Sequence, residues 1–312
     1  MKVFVTGVAG QLGYDVVQEL LKRGKEVVGS DLPETYPIEE KKDLKNWQYI
    51  SLDITKEAEV KKVLSGVQPD AVIHCAAWTA VDAAEEEENK EKVMAVNVNG
   101  TRNIARVCKE LSCKMLYLST DYVFSGQGKE AWEPDCREYE PLNVYGQSKL
   151  LGEEAVEEFL DKFFIVRIAW VFGKNGNNFI KTMLSLAKKY EEIRVINDQI
   201  GTPTYTYDLA KLLADMIETE KYGYYHATNE GGYISWYDFT KEIFNQAYAL
   251  GHEECGEGAT KVTPVTTEEY GVSKAKRPFN SRLEKGKLRE SGFTPLPDWK
   301  DALARYLKEI GY

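Results

Sequence analysis

The stretch KVFVTGVAGQLG, residues 2–13, decides the fold. Its first part, Lys2 to Thr6, is a short apolar run that ends at a glycine, which is typical of a buried strand. Glycines then recur at Gly7, Gly10 and Gly13, and apolar residues at helical spacing follow them. A strand, a glycine turn and an amphipathic helix in this order predict a unit that binds a dinucleotide at the start of the helix.

The remainder of the first half of the chain alternates between strand-like and helical stretches. Further strands are predicted at 26–30, 49–54, 71–76 and 115–119, a loop at 33–46 and a long helix within 86–111. Such alternation favours a parallel sheet with helices on both faces. Because crossovers between parallel strands are right-handed, we predict an α/β fold with a doubly wound, Rossmann-like sheet.

The pattern loosens after Phe172, where irregular segments separate the helical stretches. Helices are predicted near 178–190, 207–218, 235–250 and 298–310. We therefore predict an NAD(P)-binding domain over residues 1–172, with segments around 195–228 returning to it. Residues 173–312 are then mainly a smaller, mixed C-terminal lobe that binds substrate.

Composition excludes several classes of function. The formal charge of −10 argues against nucleic acid and against an anionic membrane surface as partners. The chain leads directly into its first strand, which predicts no signal peptide, and its most apolar stretch, 163–172, is too short to span a bilayer. Five cysteines without a CxxC motif predict reduced thiols in a cytoplasm, and three scattered histidines predict no metal site.

An acidic residue follows the second strand at the position where dinucleotide-binding folds hold a ribose. Asp31 lies 18 residues after Gly13 in the sequence, close to the usual spacing of about 20. A carboxylate there accepts hydrogen bonds from ribose hydroxyls and repels a 2′-phosphate, so we predict NADH over NADPH. Asp31 could instead be a loop or capping residue. Asp53, after the third strand, could bind the adenine amino group or cap the next helix.

Tyr145 and Lys149 are the candidate catalytic pair. At i and i+4 they share one face of a helix. A nearby ammonium lowers the pKa of a phenol from about 10, so Lys149 is predicted to tune Tyr145 as a proton donor. Thr120, at the end of the fifth strand, offers a hydroxyl to the same carbonyl oxygen. The acidic run at 85–88 is predicted to be a solvated first helical turn.

Several motifs together resemble the dTDP-4-dehydrorhamnose reductase family of extended short-chain dehydrogenase/reductases. Besides the glycine turn and the Tyr145–Lys149 pair, the motifs are HCAAWTAVD at 74–82, STDYVF at 119–124, RIAWVFG at 167–173, DQIGTPT at 198–204 and RPFNSRL at 277–283. The resemblance covers nearly the whole chain. It implies hydride transfer from NADH or NADPH to C4 of dTDP-4-dehydro-6-deoxy-L-mannose, with Tyr145 as proton donor.

The resemblance also implies residue roles. The positions matching the family's cofactor site are Gly7, Gly10, Gln11, Leu12, Gly13, Asp31, Asp53, Ile54, Ala76, Ala77, Trp78, Thr79, Tyr145 and Lys149. The positions matching its sugar-nucleotide site are Val81, Thr120, Asp121, Tyr122, Tyr145 and Trp170, and we add Arg282 as a candidate phosphate partner. Trp170 could equally be a core residue, and Arg282 could form a surface salt bridge. Trp78 departs from the tyrosine expected there.

Other functions stay open at this point. Another sugar-nucleotide reductase or a 4-epimerase would use the same tyrosine chemistry. A 4,6-dehydratase lacks its glutamate here, since Tyr122 occupies that place. A non-catalytic regulatory subunit, of the type that accompanies methionine adenosyltransferase, would share the fold. For all of these we expect a small-molecule partner and a monomer or homodimer.

Overall fold

The computed structural model describes residues 1–36, 45–256, 258–271 and 273–312. Residues 37–44, which belong to the loop predicted at 33–46, lie outside this description. The strands are β1 (Lys2–Thr6), β2 (Glu26–Asp31), β3 (Trp47–Ser51), β4 (Ala71–His74), β5 (Lys114–Thr120), β6 (Phe163–Ile168), β7 (Val171–Phe172), β8 (Glu192–Ile196), β9 (Ile200–Gly201), β10 (Thr204–Tyr205), β11 (Gly223–His226), β12 (Ile234–Ser235) and β13 (Lys261–Val265).

The helices alternate with these strands through the first half of the chain. They are α1 (Gln11–Lys22), α2 (Glu57–Val67), α3 (Val81–Ala84), α4 (Glu87–Met94), α5 (Thr101–Leu111), α6 (Val144–Phe159), α7 (Phe179–Ala187), α8 (Thr206–Ile217), α9 (Trp236–Ala249), α10 (Thr267–Tyr270), α11 (Gly286–Glu290) and α12 (Trp299–Glu309). A π-helical segment, Ala95–Gly100, joins α4 to α5, so the predicted long helix is continuous but contains one wide turn.

The main sheet confirms the predicted doubly wound class. Within the described residues it has seven parallel strands in the order β11-β6-β5-β4-β1-β2-β3. The order reverses at β1, whose neighbours are β2 and β4, and ligands of such sheets bind beyond the strand ends at this reversal. Strands such as β4 and the end of β1 are buried on both faces, as their largely apolar sequences favour, and their polar last residues, Thr6 and His74, hydrogen-bond to each other.

Separate apolar clusters cover the two faces of the sheet. One face packs against α1 and α8, and the other packs against α2, α5 and α6. Within the range 195–228, α8 and β11 join these layers, whereas β8 pairs with β13 in a separate two-stranded sheet. A third cluster, formed largely by α7, α9 and α12, is the core of the C-terminal part of the chain.

Candidate active site

A cleft of about 1060 Å³ lies at the carboxyl ends of the main-sheet strands. Its lining includes every candidate site residue except Arg282. Segments from both ends of the chain contribute to it, from the glycine turn after β1 to Trp236 at the start of α9. This volume is at the upper end of typical ligand clefts and suits a large ligand or two ligands side by side.

The glycine turn packs so tightly that side chains are excluded. Gly7 has a φ of +70°, and a Cβ built on it would lie 2.7 Å from the Ala76 nitrogen. A Cβ on Gly13 would lie only 2.1 Å from the Gly7 carbonyl oxygen. Helix α1 begins at Gln11 with Gly10 as its N-cap, and that cap has no side-chain hydrogen bond. The exposed N–H groups of the first helical turn therefore face the cleft, where a diphosphate would fit.

Two carboxylates at adjacent strand ends take different roles. The Asp31 carboxylate accepts hydrogen bonds from the backbone N–H of Ala9 at 2.9 Å and of Leu32 at 2.8 Å, which ties β2 to the glycine turn. Asp53 Oδ1 accepts from the Thr55 backbone at 3.0 Å and from its hydroxyl at 2.7 Å. Asp53 therefore stabilises the turn before α2, and both carboxylates still line the cleft.

The loop after β4 is held in place by Asn97, a residue that sequence reasoning missed. Asn97 lies in the π-helical segment and is almost fully buried. Its Oδ1 accepts from the Trp78 backbone at 2.7 Å, and its Nδ2 donates to the Trp78 carbonyl at 3.1 Å and to Ser148 Oγ at 2.8 Å. Ser148 in turn donates to the Tyr145 carbonyl. A polar residue in the apolar part of the predicted 86–111 helix was the available signal.

Helix α6 carries Tyr145 and Lys149 on one face, as their spacing predicted. Its first turn is stabilised twice: Asn143 Oδ1 caps the Gly146 N–H at 2.8 Å, and Glu85 Oε1 accepts the Val144 N–H at 2.7 Å. Glu85 is therefore more than a solvated carboxylate of an acidic run, since it fixes the start of α6. Only the tertiary fold could show this contact, because 59 residues separate Glu85 from Val144.

The predicted lowering of the Tyr145 pKa by Lys149 is wrong for the chain by itself. Burial of the phenol raises the pKa of Tyr145, the nearby Asp121 charge raises it further, and a hydrogen bond with Thr120 opposes the rise. Burial also lowers the pKa of Lys149 to about 7, against the attraction of Glu153. The Lys149 Nζ lies 4.1 Å from the centre of the Tyr117 ring. Tyr145 keeps its proton, as a proton donor must.

Asp121 presents a buried carboxylate to the cleft. Its Oδ1 accepts from the Thr120 hydroxyl at 3.0 Å, while its Oδ2 is buried without a hydrogen-bond partner. Burial raises the pKa of Asp121 to about 6, although hydrogen bonds from Ser281 and Thr120 act in the opposite direction. Tyr122 packs edge-on against Tyr145, with ring centres 5.6 Å apart. An unpaired buried acceptor beside the phenol suits a ligand hydroxyl.

Trp170 is part of an aromatic pair rather than a simple core residue. Its φ of +51° is unusual for a bulky residue. The ring stacks on Trp236 with centres 3.6 Å apart, and both tryptophans line the cleft. A Cβ on Gly201 would lie 2.9 Å from the Trp170 ring, so the glycine of the 198–204 motif makes room for it. Sequence reasoning missed Trp236, because nothing local relates it to Trp170.

Arg282 is the candidate that the fold does not bring to the cleft. Its Nη1 donates to Asn280 Oδ1 at 3.0 Å, and its guanidinium lies over the Tyr233 ring. The neighbouring Asn280 bridges to the 126–130 loop, and Ser281 reaches Asp121. Within the 277–283 motif, Ser281 therefore contacts a residue of the site, whereas the Arg282 side chain does not line the cleft.

A doubly wound sheet whose cleft brings together a glycine turn and a buried tyrosine–lysine pair is the arrangement of an oxidoreductase of the short-chain dehydrogenase/reductase type. The comparison with known families is more specific. The chain belongs to the family described as RmlD substrate binding domain, whose model matches residues 1–311. None of the described helices is long and apolar enough to cross a membrane, and the described residues contain no cluster of three or more potential metal-ligating side chains of the His, Cys, Asp or Glu type.

Named relatives match over nearly their full lengths. The dTDP-4-dehydrorhamnose reductase of Aggregatibacter actinomycetemcomitans is 37% identical, with 97% of each chain covered. The spore coat polysaccharide biosynthesis protein SpsK of Bacillus subtilis is 36% identical, over 99% of this chain and 97% of its own. The crystal structure of dTDP-4-dehydrorhamnose reductase from Bacillus anthracis, in complex with NADP, is 39% identical and superposes with a TM-score of 0.83, covering 99% of each chain.

Proposed function

We propose that this chain reduces dTDP-4-dehydrorhamnose to dTDP-L-rhamnose with a reduced nicotinamide dinucleotide. One observation carries the proposal: Tyr145, Lys149 and Thr120 line the same cleft as the glycine turn, in a chain whose family and named relatives match end to end. The relatives from Aggregatibacter actinomycetemcomitans and Bacillus anthracis are named as reductases, which supports this activity over an epimerase or a regulatory subunit.

The cofactor would lie along the glycine turn, with its diphosphate at the start of α1. Gly7, Gly10 and Gly13 would admit it, and the first-turn N–H groups of Gln11 and Leu12 would donate to its oxygens. Asp31 would accept hydrogen bonds from the adenosine ribose. Ile54 and Asp53 would border the adenine, and the loop 76–79 would border the rest of the cofactor. The bound nicotinamide supplies a hydride to the sugar carbonyl.

Tyr145 would donate its proton to the C4 oxygen as the carbonyl becomes an alcohol. The raised pKa of the phenol keeps this proton available at neutral pH. Thr120, which hydrogen-bonds with the phenol, would orient the same oxygen. The protonated form of Lys149 would then stabilise the resulting phenolate, and the Lys149 side chain would bind the nicotinamide ribose.

The sugar nucleotide would occupy the other half of the cleft. Asp121 Oδ2, which is buried and unpaired, would accept a hydrogen bond from a sugar hydroxyl. Val81, Tyr122 and Trp170 would enclose the sugar. We further propose that residues 1–172 with α8 and β11 form the cofactor-binding unit, and that most of 173–312 forms the substrate lobe.

The preference between cofactors is a separate proposal. Within the described residues, no arginine lines the cleft to pair with a 2′-phosphate. Because the Asp31 carboxylate lies at the cleft, it would repel that phosphate, so we propose that NADH is preferred and that NADPH is also used. The relative from Bacillus anthracis was crystallised with NADP, which gives the comparison a reference protein.

The direct test is turnover with enzymatically prepared dTDP-4-dehydro-6-deoxy-L-mannose. Loss of the NADH or NADPH absorbance, with dTDP-L-rhamnose as the identified product, is the expected result. In a parallel reaction, dTDP-4-dehydro-6-deoxy-D-glucose replaces this substrate, and we expect slower turnover. Cofactor binding without turnover of the first substrate would overturn the proposal and favour a regulatory role.

A further inference from the structure

Gln11 is the first residue of α1, and its side chain lines the cleft next to the glycine turn. Its amide oxygen accepts a hydrogen bond from Asn178 Nδ2 at 3.2 Å. Gly176 also packs near it, since a Cβ on this glycine would lie 3.7 Å from Gln11 Cγ. Gln11 thus links the start of α1 to the loop before α7, a segment 167 residues away in the chain.

The orientation of the Asn178 amide is determined from its other side. Asn178 is the N-cap of α7, and its Oδ1 accepts the Lys181 N–H at 3.1 Å. Its Nδ2 must therefore face the other way, where its two N–H bonds are shared among three acceptors: Tyr306 Oη at 2.8 Å, the Gly173 carbonyl at 2.9 Å and Gln11 Oε1 at 3.2 Å. All three of these partners are acceptors in this arrangement, so the atom of Gln11 that faces Asn178 is oxygen.

The orientation of the Asn178 amide therefore determines the orientation of the Gln11 amide. Since an amide carries its oxygen and nitrogen on opposite sides of one carbon, Gln11 Nε2 is turned away from Asn178. Within the described residues Nε2 has no hydrogen-bond partner. We propose that Asn178 is a positioning residue that holds Gln11 Nε2 as a donor for the cofactor diphosphate. This inference rests on the proposed function, because it assumes that the diphosphate lies at the start of α1.

A substitution can distinguish whether Asn178 orients the Gln11 amide or only packs against it. Asn178→Asp keeps the N-cap oxygen, because aspartate caps helices as well as asparagine does. It replaces the N–H that faces Gln11 with an oxygen. Gln11 must then turn its amide over, which places Oε1 against the diphosphate. A donor that becomes an acceptor next to a charged group weakens binding strongly.

The experiment is a double-mutant cycle read by calorimetric titration with NADH. The four proteins are wild type, Asn178→Asp, Gln11→Leu and the double variant. We expect Asn178→Asp to raise the Kd for NADH about tenfold in the wild-type background and less than about twofold in the Gln11→Leu background. If Asn178→Asp changed the Kd for NADH by the same factor in both backgrounds, or in neither, the proposal that Asn178 orients Gln11 would be overturned.

A second comparison covers the case in which Asn178→Asp does not fold, as judged by its thermal melt. Gln11→Glu leaves Asn178 intact but places a charged oxygen toward the diphosphate, so it should raise the Kd for NADH more than Gln11→Leu does. Equal effects of the two variants would contradict the inference. Failure of the wild-type protein to bind either NADH or NADPH would instead overturn the proposed function and this inference with it.

Discussion

The two halves of the cleft are built in different ways. The cofactor half, proposed to hold the dinucleotide, is mainly backbone: Gly7, Gly10 and Gly13 follow one another on a single turn, and steric exclusion shapes it. The substrate half, proposed to hold the sugar nucleotide, is mainly side chains from distant segments, among them Asp121, Trp170 and Trp236. Local geometry therefore determines the first half, whereas the second half exists only when the C-terminal part of the chain has packed against the sheet.

This difference has consequences for tolerance to mutation. In the cofactor half, the glycine turn leaves almost no space for a side chain, since a single Cβ at Gly13 would overlap a carbonyl oxygen. The substrate half contains an unpaired buried carboxylate oxygen and a strained tryptophan, features that are costly to folding and that commonly mark functional sites. Mutations should therefore affect the two halves through different observables.

The largest effect is expected where the two halves meet, at Tyr145. Tyr145→Phe removes the hydroxyl group that would donate the proton and keeps the ring, so kcat should fall by about 10²- to 10⁴-fold. The Kd for NADH should stay within about twofold of wild type, because the ring still packs against Tyr122. Stopped-flow turnover and calorimetric binding would measure the two quantities. Near-wild-type turnover would contradict the assignment of Tyr145.

The substrate half should show an unusual dependence of stability on pH through Asp121. The folded-state pKa of about 6 is above the ordinary value for aspartate, so the folded protein binds more protons than the unfolded chain between about pH 4 and pH 6. The free energy of unfolding should therefore fall as the pH rises through this window, by about 3 kcal/mol relative to Asp121→Asn. Urea titrations of both proteins at several pH values measure this difference. Parallel pH profiles would show that Asp121 titrates normally.

The cofactor half should respond sterically. Gly13→Ala should raise the Kd for NADH about tenfold and lower the free energy of unfolding by about 1–3 kcal/mol, because the new methyl group overlaps the Gly7 carbonyl. Gly66→Ala in α2 is the matched control, since a Cβ there meets no atom within 4 Å. That control should be neutral or slightly stabilising. Equal losses of stability in the two variants would argue against steric overlap as the reason that position 13 is a glycine.

Asp31 tests whether the cofactor half also selects the cofactor. Asp31→Ala should weaken NADH binding and strengthen NADPH binding, and we expect their Kd ratio to change by about tenfold. The variant also loses the acceptor for the Ala9 N–H, so both Kd values should be read against the thermal stability of the empty protein. An unchanged ratio would leave Asp31 with a structural role alone.

The smallest effect is expected at Arg282. Its side chain does not line the cleft, so Arg282→Ala should change the KM for the sugar nucleotide by less than about twofold. Trp236→Ala is the contrasting variant, because it removes the ring on which Trp170 stacks, and it should raise this KM several-fold. A large effect of Arg282→Ala with a small effect of Trp236→Ala would reverse our assignment of the substrate half.

Sequence patterns predicted much of this molecule because the signals were local. The fold class and the positions of β1 and α1 follow from apolar periodicity and glycine spacing, and the structure confirms them. The family was also predicted correctly from the motifs. The contribution of Asn97 was not predicted, because a polar residue within a helical stretch does not indicate which distant residues it contacts. Its partners, Trp78 in the loop after β4 and Ser148 in α6, are brought to it only by the tertiary fold.

Two strands of the main sheet, β6 and β11, were not predicted from the sequence. The sequence by itself determined the glycine turn, the approximate positions of β1 to β5 and the residue types at the ends of those strands. These properties depend on the conformational freedom of glycine and on the burial of apolar faces, which operate over a few residues. Only the tertiary structure decided that burial dominates the pKa of Tyr145 and lowers the pKa of Lys149 to about 7. It also decided that Trp236 joins the cleft and that Arg282 does not. The physical reason is that desolvation and side-chain contact depend on which distant segments are excluded from water together, and spacing along the chain does not encode that.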